Sequence, residues 1–183
     1  MPTFAAFLRA VNLGEKNKIP MGKLKSSFSE LGYEDVTTYL QSGNVVFRTP
    51  TKKADAIAAV ERRIADEFGL SVTVLLRTSA ELRKIAGNNP FLKGESDPKK
   101  LHVVFLDSRP AAKAKADLDP DRSPPDRFDV RGREIYLHLP NGSGRSKLTI
   151  EYFEHRLGTK ATARNWRTLT NLVELTQPAA VTE

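Results

Sequence analysis

The 183-residue sequence has no cysteine, which excludes disulfide frameworks, thiolate metal sites and cysteine nucleophiles. No apolar run approaches the ~20 residues that span a bilayer, and Phe4 to Leu8 lacks the basic start and the length of a signal peptide. The expectation is therefore a soluble, cytoplasmic chain with no membrane partner. Histidines number three, and His102, His138 and His155 share no metal-ligand spacing, so neither a metal nor a cofactor is expected. Acidic residues are also short, 22 Asp+Glu against 29 Lys+Arg, a formal charge of +7. What remains is ample for folding: 39% of residues are apolar and 28% charged. A chain of this length buries roughly 70% of the surface exposed when unfolded.

The order of elements can be read from hydrophobic periodicity. Thr3 to Val11 reads as a largely buried strand, followed by a polar loop from Asn12 to Ile19. Pro20 suits the first position of a helix carrying Met21, Leu24, Phe28 and Leu31 on one face, with Gly32 to stop it. Asp35 to Gln41 and Asn44 to Thr49, joined by Ser42-Gly43, read as a β-hairpin. Ile57, Val60, Ile64 and Phe68 mark a second helix closing at Gly69, and Ser71 to Thr78 a further strand. This is β-α-β-β-α-β, the ferredoxin-like order. A second round follows: strand Leu101 to Asp107, a short helix in Pro110 to Leu118, a hairpin from Asp126 to Val130 and Glu134 to Leu139, and a helix from Ser146, as cap, to Gly158. That round is β-α-β-β-α, without a closing strand. A last helix is expected from Thr162 as N-cap, burying Trp166, Leu169, Leu172 and Val173. The fold expected is α+β: a ferredoxin-like βαββαβ subdomain over 1–90, then a related βαββα subdomain with C-terminal helices over 91–183, the two expected to form one compact unit.

Topology gives the polar residues a meaning. In the split βαβ sheet the strands lie in the order 4-1-3-2, so the loop after the first strand and the hairpin after the second leave the sheet at the same end. Asn12, Lys16, Asn17 and Lys18 then become neighbours of Gln41, Ser42 and Asn44. Amides, a hydroxyl, glycine backbone and two ammonium groups next to a helix N-terminus suit a phosphate or another anion. The plainer alternative is that turns are built of such residues because they tolerate the backbone and stay hydrated. A second basic feature is residues 131–171, where Arg131, Arg133, Arg145, Lys147, Arg156, Lys160, Arg164 and Arg167 face only Glu134, Glu151 and Glu154. Such an excess serves polyanion binding or solubility.

Other motifs fail when their chemistry is examined. Gly142 to Lys147 is glycine-rich, but Ser146 rather than Gly precedes Lys147 and Leu148 follows it, so it is not a Walker phosphate loop. Ser42 has no G-x-S-x-G elbow around it. Asp117, Asp119, Asp121 and Asp126 crowd a Pro-rich loop, where solvation or a weak cation site explains them without acid/base chemistry. Asn44 to Phe47 offers a single aromatic, so the base-stacking platform of an RNA-recognition motif is missing.

The stretches FLRAVNLGEKNKIPMGKLKSSFSELGYEDVTTYLQSGNVVF (Phe7 to Phe47) and TARNWRTLTNLVEL (Thr162 to Leu175), with SKLT (Ser146 to Thr149) and RLG (Arg156 to Gly158), resemble the bacterial family known as domain of unknown function 1697. The resemblance spans essentially the whole chain. It implies an α+β fold with a ferredoxin-like unit, a cytoplasmic setting and no named activity. The family pattern falls on Arg9, Asn12, Gly14, Lys16, Lys18, Tyr39, Gln41, Ser42, Gly43 and Asn44, and on Arg164, Asn165 and Trp166. Glu15 stands where similar proteins carry a small residue, and it adds a negative charge to the loop.

The favoured functional reading is a binding module for a phosphate-bearing ligand, nucleic acid or nucleotide, at the loop-hairpin end of the first subdomain. Lys16 and Lys18 would neutralise charge; Asn12, Gln41 and Asn44 would give directional hydrogen bonds; Arg9, Tyr39 and Ser42 belong to the same cluster. Arg164 and Asn165 would complete the rim from the last helix. Two alternatives stand beside it: an enzyme on a small anionic substrate with Tyr39 or Ser42 as the reacting hydroxyl, and a protein-interaction adaptor using an exposed sheet edge.

Overall fold

The structure is a computed structural model that describes residues 1–178. The chain divides into two compact units, Met1–Lys84 with the chain from Asn171 onward, and Ile85–Thr170.

In the first unit β1 (Thr3–Leu8), α1 (Met21–Glu30), β2 (Glu34–Tyr39), β3 (Asn44–Arg48), α2 (Lys53–Phe68) and β4 (Val74–Thr78) follow the expected order. The sheet is antiparallel throughout, ordered β2-β3-β1-β4. One of its faces packs Phe4, Leu8, Val45, Phe47 and Leu76 against Leu24 and Phe28 of α1 and Val60 and Ile64 of α2. Phe47 is the centre of this core: Tyr33 stacks on it at 4.8 Å and Phe28 meets it edge-on at 5.2 Å. Aromatic contacts of this kind add about 0.5–1.5 kcal/mol each to the area they bury. Helix α2 ends as its sequence requires, with Gly69 in the left-handed region (φ 66°) returning its N–H to Ala65 O.

Several boundaries differ from expectation, among them the start of β4 at Val74 rather than Ser71. β1 stops at Leu8 rather than Val11, because Ala10 (φ 57°) and Asn12 (φ 55°) leave extended geometry. The hairpin loop is four residues, Leu40 to Gly43, not two, since Tyr39 pairs with Asn44. β4 then runs directly into α3 (Ser79–Gly87), which sequence reasoning passed over. Its start is a capping box: Thr78 Oγ1 accepts from Glu81 N, and Glu81 Oε2 accepts from Thr78 N.

The second unit contains β5 (Leu101–Leu106), α4 (Ala112–Ala116), β6 (Arg127–Arg131), β7 (Glu134–His138), α5 (Ile150–Leu157) and β8 (Ala161–Asn165), with α6 (Trp166–Leu175) beginning at its end. Its sheet is ordered β6-β7-β5-β8, the arrangement of the first unit. The expected α+β class holds, with one correction: this half does have its closing strand. Thr162 is not a helix N-cap but lies in β8, opposite Phe105. The segment holds no large apolar residue to mark a strand, yet pairing with the free edge of β5 satisfies its backbone and decides its conformation. The cap of α6 is Asn165, whose Oδ1 accepts from Thr168 N at 2.8 Å. Likewise Thr149, not Ser146, caps α5, its Oγ1 accepting from Tyr152 N.

The registers of the two sheets correspond. Ala5 on β1 pairs with Val46 and Arg77, and Val103 on β5 pairs with Tyr136 and Arg164. Arg77 and Arg164 thus occupy equivalent places on the last strand of each unit, and both are buried. Among the described residues no helix is long and apolar enough to cross a membrane.

Candidate ligand pocket between the β1–α1 loop and the β2–β3 hairpin

The loop after β1 is short of regular hydrogen bonds and makes its own. Lys16 N donates to Leu13 O, and Asn12 N to Asn17 O at 3.0 Å, so residues 12–17 form a closed turn. Asn17 Nδ2 donates back to Ala10 O at 3.2 Å. Four residues here take a left-handed φ without being glycine: Ala10, Asn12, Asn17 and Leu40. Asparagine accepts that region readily. Alanine and leucine do not.

Asn12 fastens the loop to the hairpin. Its Nδ2 donates to Ile19 O at 3.0 Å and to Gln41 O at 2.7 Å, while its Oδ1 accepts from Ile19 N at 2.7 Å. One side chain thereby joins residues 29 positions apart in sequence. Gly43 brings the hairpin against the strand: its carbonyl accepts from Leu8 N at 2.9 Å. A Cβ at position 43 would lie 2.6 Å from Val11 Cγ2 and 2.9 Å from Leu8 Cβ, so only glycine fits this approach, at φ 86°.

The two segments enclose an open cavity of about 410 Å³ lined by Asn12, Gly14, Lys18, Ile19, Pro20 and Gln41. Its size is within the roughly 300–1,000 Å³ of small-molecule sites. Pro20 leads into α1, whose first turn has no acidic residue and no side-chain cap. Lys18 Nζ is 2.9 Å from Glu15 Oε2, both exposed, so this pair is held weakly by water-screened attraction. Lys16, Gln41 and Ser42 are exposed at the same end.

The remaining candidate residues are engaged in holding the fold. Asn44 is fully buried, and its Nδ2 donates to Tyr39 O and to Ser42 Oγ at 2.8 and 2.9 Å, which shapes the hairpin loop. Tyr39 OH accepts from Asn171 Nδ2 at 2.5 Å. Arg9 is half-buried and its backbone N–H donates to Thr73 O. Arg164 and Asn165 lie on β8 in the second unit instead of on the last helix. There Asn165 caps α6, and Arg164 is buried with Nη1 donating to Thr162 Oγ1 and Ala163 O, each at 2.8 Å. Burial lowers the Arg164 guanidinium to about 10. In the same unit, burial, with the nearby Glu134 charge adding to it, pushes the Tyr136 phenol up to about 12, and its OH donates to Ile85 O.

Pro20 and Ile19 line the cavity without having been singled out from sequence. The signal was present in Pro20 as the entry to a helix. A larger groove of about 530 Å³ runs over Thr3, Asp35, Thr37, Val46 and Arg48, but its cation is already paired, Arg48 Nη1 lying 2.8 Å from Asp35 Oδ2. The basic excess of residues 131–171 is partly consumed internally: besides Arg164, Arg131 donates to Asn88 O and pairs with Asp129, and Arg156 lies over the Tyr152 ring. Among the described residues no cluster of His, Asp and Glu could hold a metal ion.

Comparison with known proteins agrees with this architecture. The profile of a protein family of unknown function, DUF1697, matches residues 1–136. The chain belongs to the DUF1697 family. Among solved structures, the conserved bacterial protein SP0830 from Streptococcus pneumoniae is similar, with a TM-score of 0.75 and 19% sequence identity over 96% of this chain and 99% of that one. At that identity the likeness concerns the fold alone. No curated protein matches the sequence. The DUF1697 match covers the whole loop-hairpin end and the cavity between its two segments.

Proposed function

We propose that this DUF1697 protein binds a phosphate-bearing ligand, a nucleotide or nucleic acid, in the cavity between the β1–α1 loop and the β2–β3 hairpin. The observation that carries the proposal is the joining of the two segments by Asn12, with Lys18, Gly14 and Gln41 lining one concavity at the start of α1. Lys16 and Lys18 supply positive charge, and Lys18 can leave its exposed partner Glu15 for a better-placed anion at little cost. The first turn of α1 adds partial positive charge and backbone N–H donors. Asn12 contributes by shaping the cavity, since its amide is occupied by Ile19 and Gln41, while the exposed Gln41 side chain is placed to bond ligand. A cytoplasmic setting belongs to the same reading.

The test is a thermal-shift screen at ~50 mM salt with inorganic phosphate, sugar phosphates, nucleotides and mixed oligonucleotides, repeated on Lys18→Ala and Lys16→Ala. A ligand at a hundred times its Kd stabilises by about 2.7 kcal/mol, or several degrees in Tm for a chain of this size. Shifts that shrink in the lysine variants are expected, and for a nucleic acid the affinity should also fall steeply with salt. No shift with any phosphate compound overturns the proposal.

A further inference from the structure

Five large hydrophobic side chains are exposed among the described residues: Met1, Leu13, Leu40, Leu92 and Leu175. Two of them flank the proposed site, one from each segment. Leu13 is 66% exposed between Asn12 and Gly14, and Leu40 is 55% exposed next to Gln41. Asn12 and Gln41 line the 410 Å³ cavity and are joined by the 2.7 Å bond from Asn12 Nδ2 to Gln41 O, so each leucine is the chain neighbour of a cavity-lining residue without lining the cavity itself. Leu40 moreover takes a left-handed backbone (φ 59°), a conformation that glycine or asparagine would adopt with less strain. Hydration of a turn would be served better by either, so an apolar side chain at this point of strain marks a contact surface.

We infer that the ligand of this site is a nucleoside monophosphate, its phosphate met by Lys16 and Lys18 and its base lying against Leu13 and Leu40. The inference rests on the phosphate-binding reading above and names its ligand. A sugar phosphate or inorganic phosphate has nothing to set against two exposed leucines, whereas a base offers a flat, largely apolar face. Charge limits the number of phosphates. Lys16 and Lys18 stand against Glu15, leaving an excess of one positive charge in the loop. That excess, with the positive end of α1, balances one phosphate group of about −1.5 to −2 and falls well short of a triphosphate. The cavity is concave and lined by amide groups, so a small ligand fits it better than the plane of a membrane surface does. A free nucleotide and the 5′-terminal nucleotide of a strand present the same chemistry.

The experiment is isothermal titration calorimetry of the full chain with each of the four nucleoside monophosphates, ribose 5-phosphate, inorganic phosphate and a 5′-phosphorylated trinucleotide, on the native sequence and on Leu13→Ser and Leu40→Asn. At least one nucleoside monophosphate, free or at the strand end, should bind about tenfold or more tighter than ribose 5-phosphate. Leu40→Asn should raise Tm by about 1–3 °C through relief of the left-handed strain while its affinity for the nucleotide falls several-fold. Gain of stability with loss of binding is a combination that a purely structural leucine would not give. If ribose 5-phosphate binds as tightly as every nucleotide, or both leucine variants bind nucleotide as the native chain does, the inference fails and the phosphate reading survives. If no phosphate compound binds, both fail. Binding to anionic phosphatidylserine vesicles without any nucleotide binding overturns the inference in favour of a lipid surface.

Discussion

Replacing Gly43 by alanine tests how the loop-hairpin end is held together. The substitution forces a side chain into a left-handed backbone at φ 86° and sets a methyl group 2.6 Å from Val11 Cγ2 and 2.9 Å from Leu8 Cβ. Both obstacles belong to buried residues beside the core, and neither is the tip of a flexible chain. The conformational part costs about 1–2 kcal/mol, and forcing an extra methyl into a packed site typically adds about 1–3 kcal/mol. The sum, about 2–5 kcal/mol, corresponds to a fall of roughly 5–15 °C in Tm for a chain of this length. Gly69→Ala is the internal control. Gly69 has a similar φ of 66° but open space around its would-be Cβ, so only the conformational cost applies. Thermal and urea unfolding of the two variants side by side, with amide exchange of Leu8 N–H, which is bonded to Gly43 O, measures the difference. Gly43→Ala should lose clearly more than Gly69→Ala and should speed exchange at Leu8. Equal losses in the two variants would refute the close approach on which the shape of the cavity depends.

Asn12→Asp replaces a donor by an acceptor facing the carbonyls of Ile19 and Gln41 and should lower stability by about 2–3 kcal/mol in urea unfolding; an unchanged midpoint would show that the amide does not join the segments. Arg164→Lys should cost about 2–4 kcal/mol, because the more strongly hydrated ammonium is costlier to bury than the delocalised guanidinium whose Nη1 donates to both Thr162 Oγ1 and Ala163 O; the unfolding midpoint checks it, and a neutral result would mean that burial there is not demanding. Glu81 gives a pH signature. Burial pushes its carboxyl up, but the hydrogen bond from Lys53 and that from Thr78 N–H more than offset this and leave it below its ordinary 4.5. Its stabilising contribution is therefore fully present above about pH 4.5 and is lost as pH falls through the depressed native value. Glu81→Gln should flatten the stability profile below pH 4.5 in acid-unfolding measurements, and an unaltered profile would contradict the assignment.

Much of this architecture is written in periodicity and punctuation. Leu24 and Phe28, then Val60 and Ile64, recur at helical spacing and fill one core, and Gly69 and Gly158 cap helices α2 and α5 in the left-handed geometry that glycine supplies. The nearness of Asn12 to Gln41 followed from topology alone, because an antiparallel β2-β3-β1-β4 sheet turns both connections out at one end. Strand β8 was hidden because Ala161 to Asn165 holds no large apolar residue, and its strand character comes from the edge of β5. Helix α3 carried a legible signal, Thr78 followed three residues later by Glu81, that goes unnoticed when a strand has just ended. The site was half legible. Residue type identifies Asn12, Asn44 and Asn165 as donors and acceptors but not their partners, and all three bond the chain's own backbone. Leu13 and Leu40 gave no signal, since exposure of a leucine and a left-handed φ are properties of the folded loop.

Ligand recognition at the joined loop and hairpin of this DUF1697 protein is decided by titrating isotopically labelled protein with each of the four nucleoside monophosphates and following the amide chemical shifts. At least one of them should give saturable shifts concentrated at residues 12–20 and 40–43, weakened in Lys18→Ala. Shifts centred on any other part of the chain, or none at millimolar nucleotide, would contradict it.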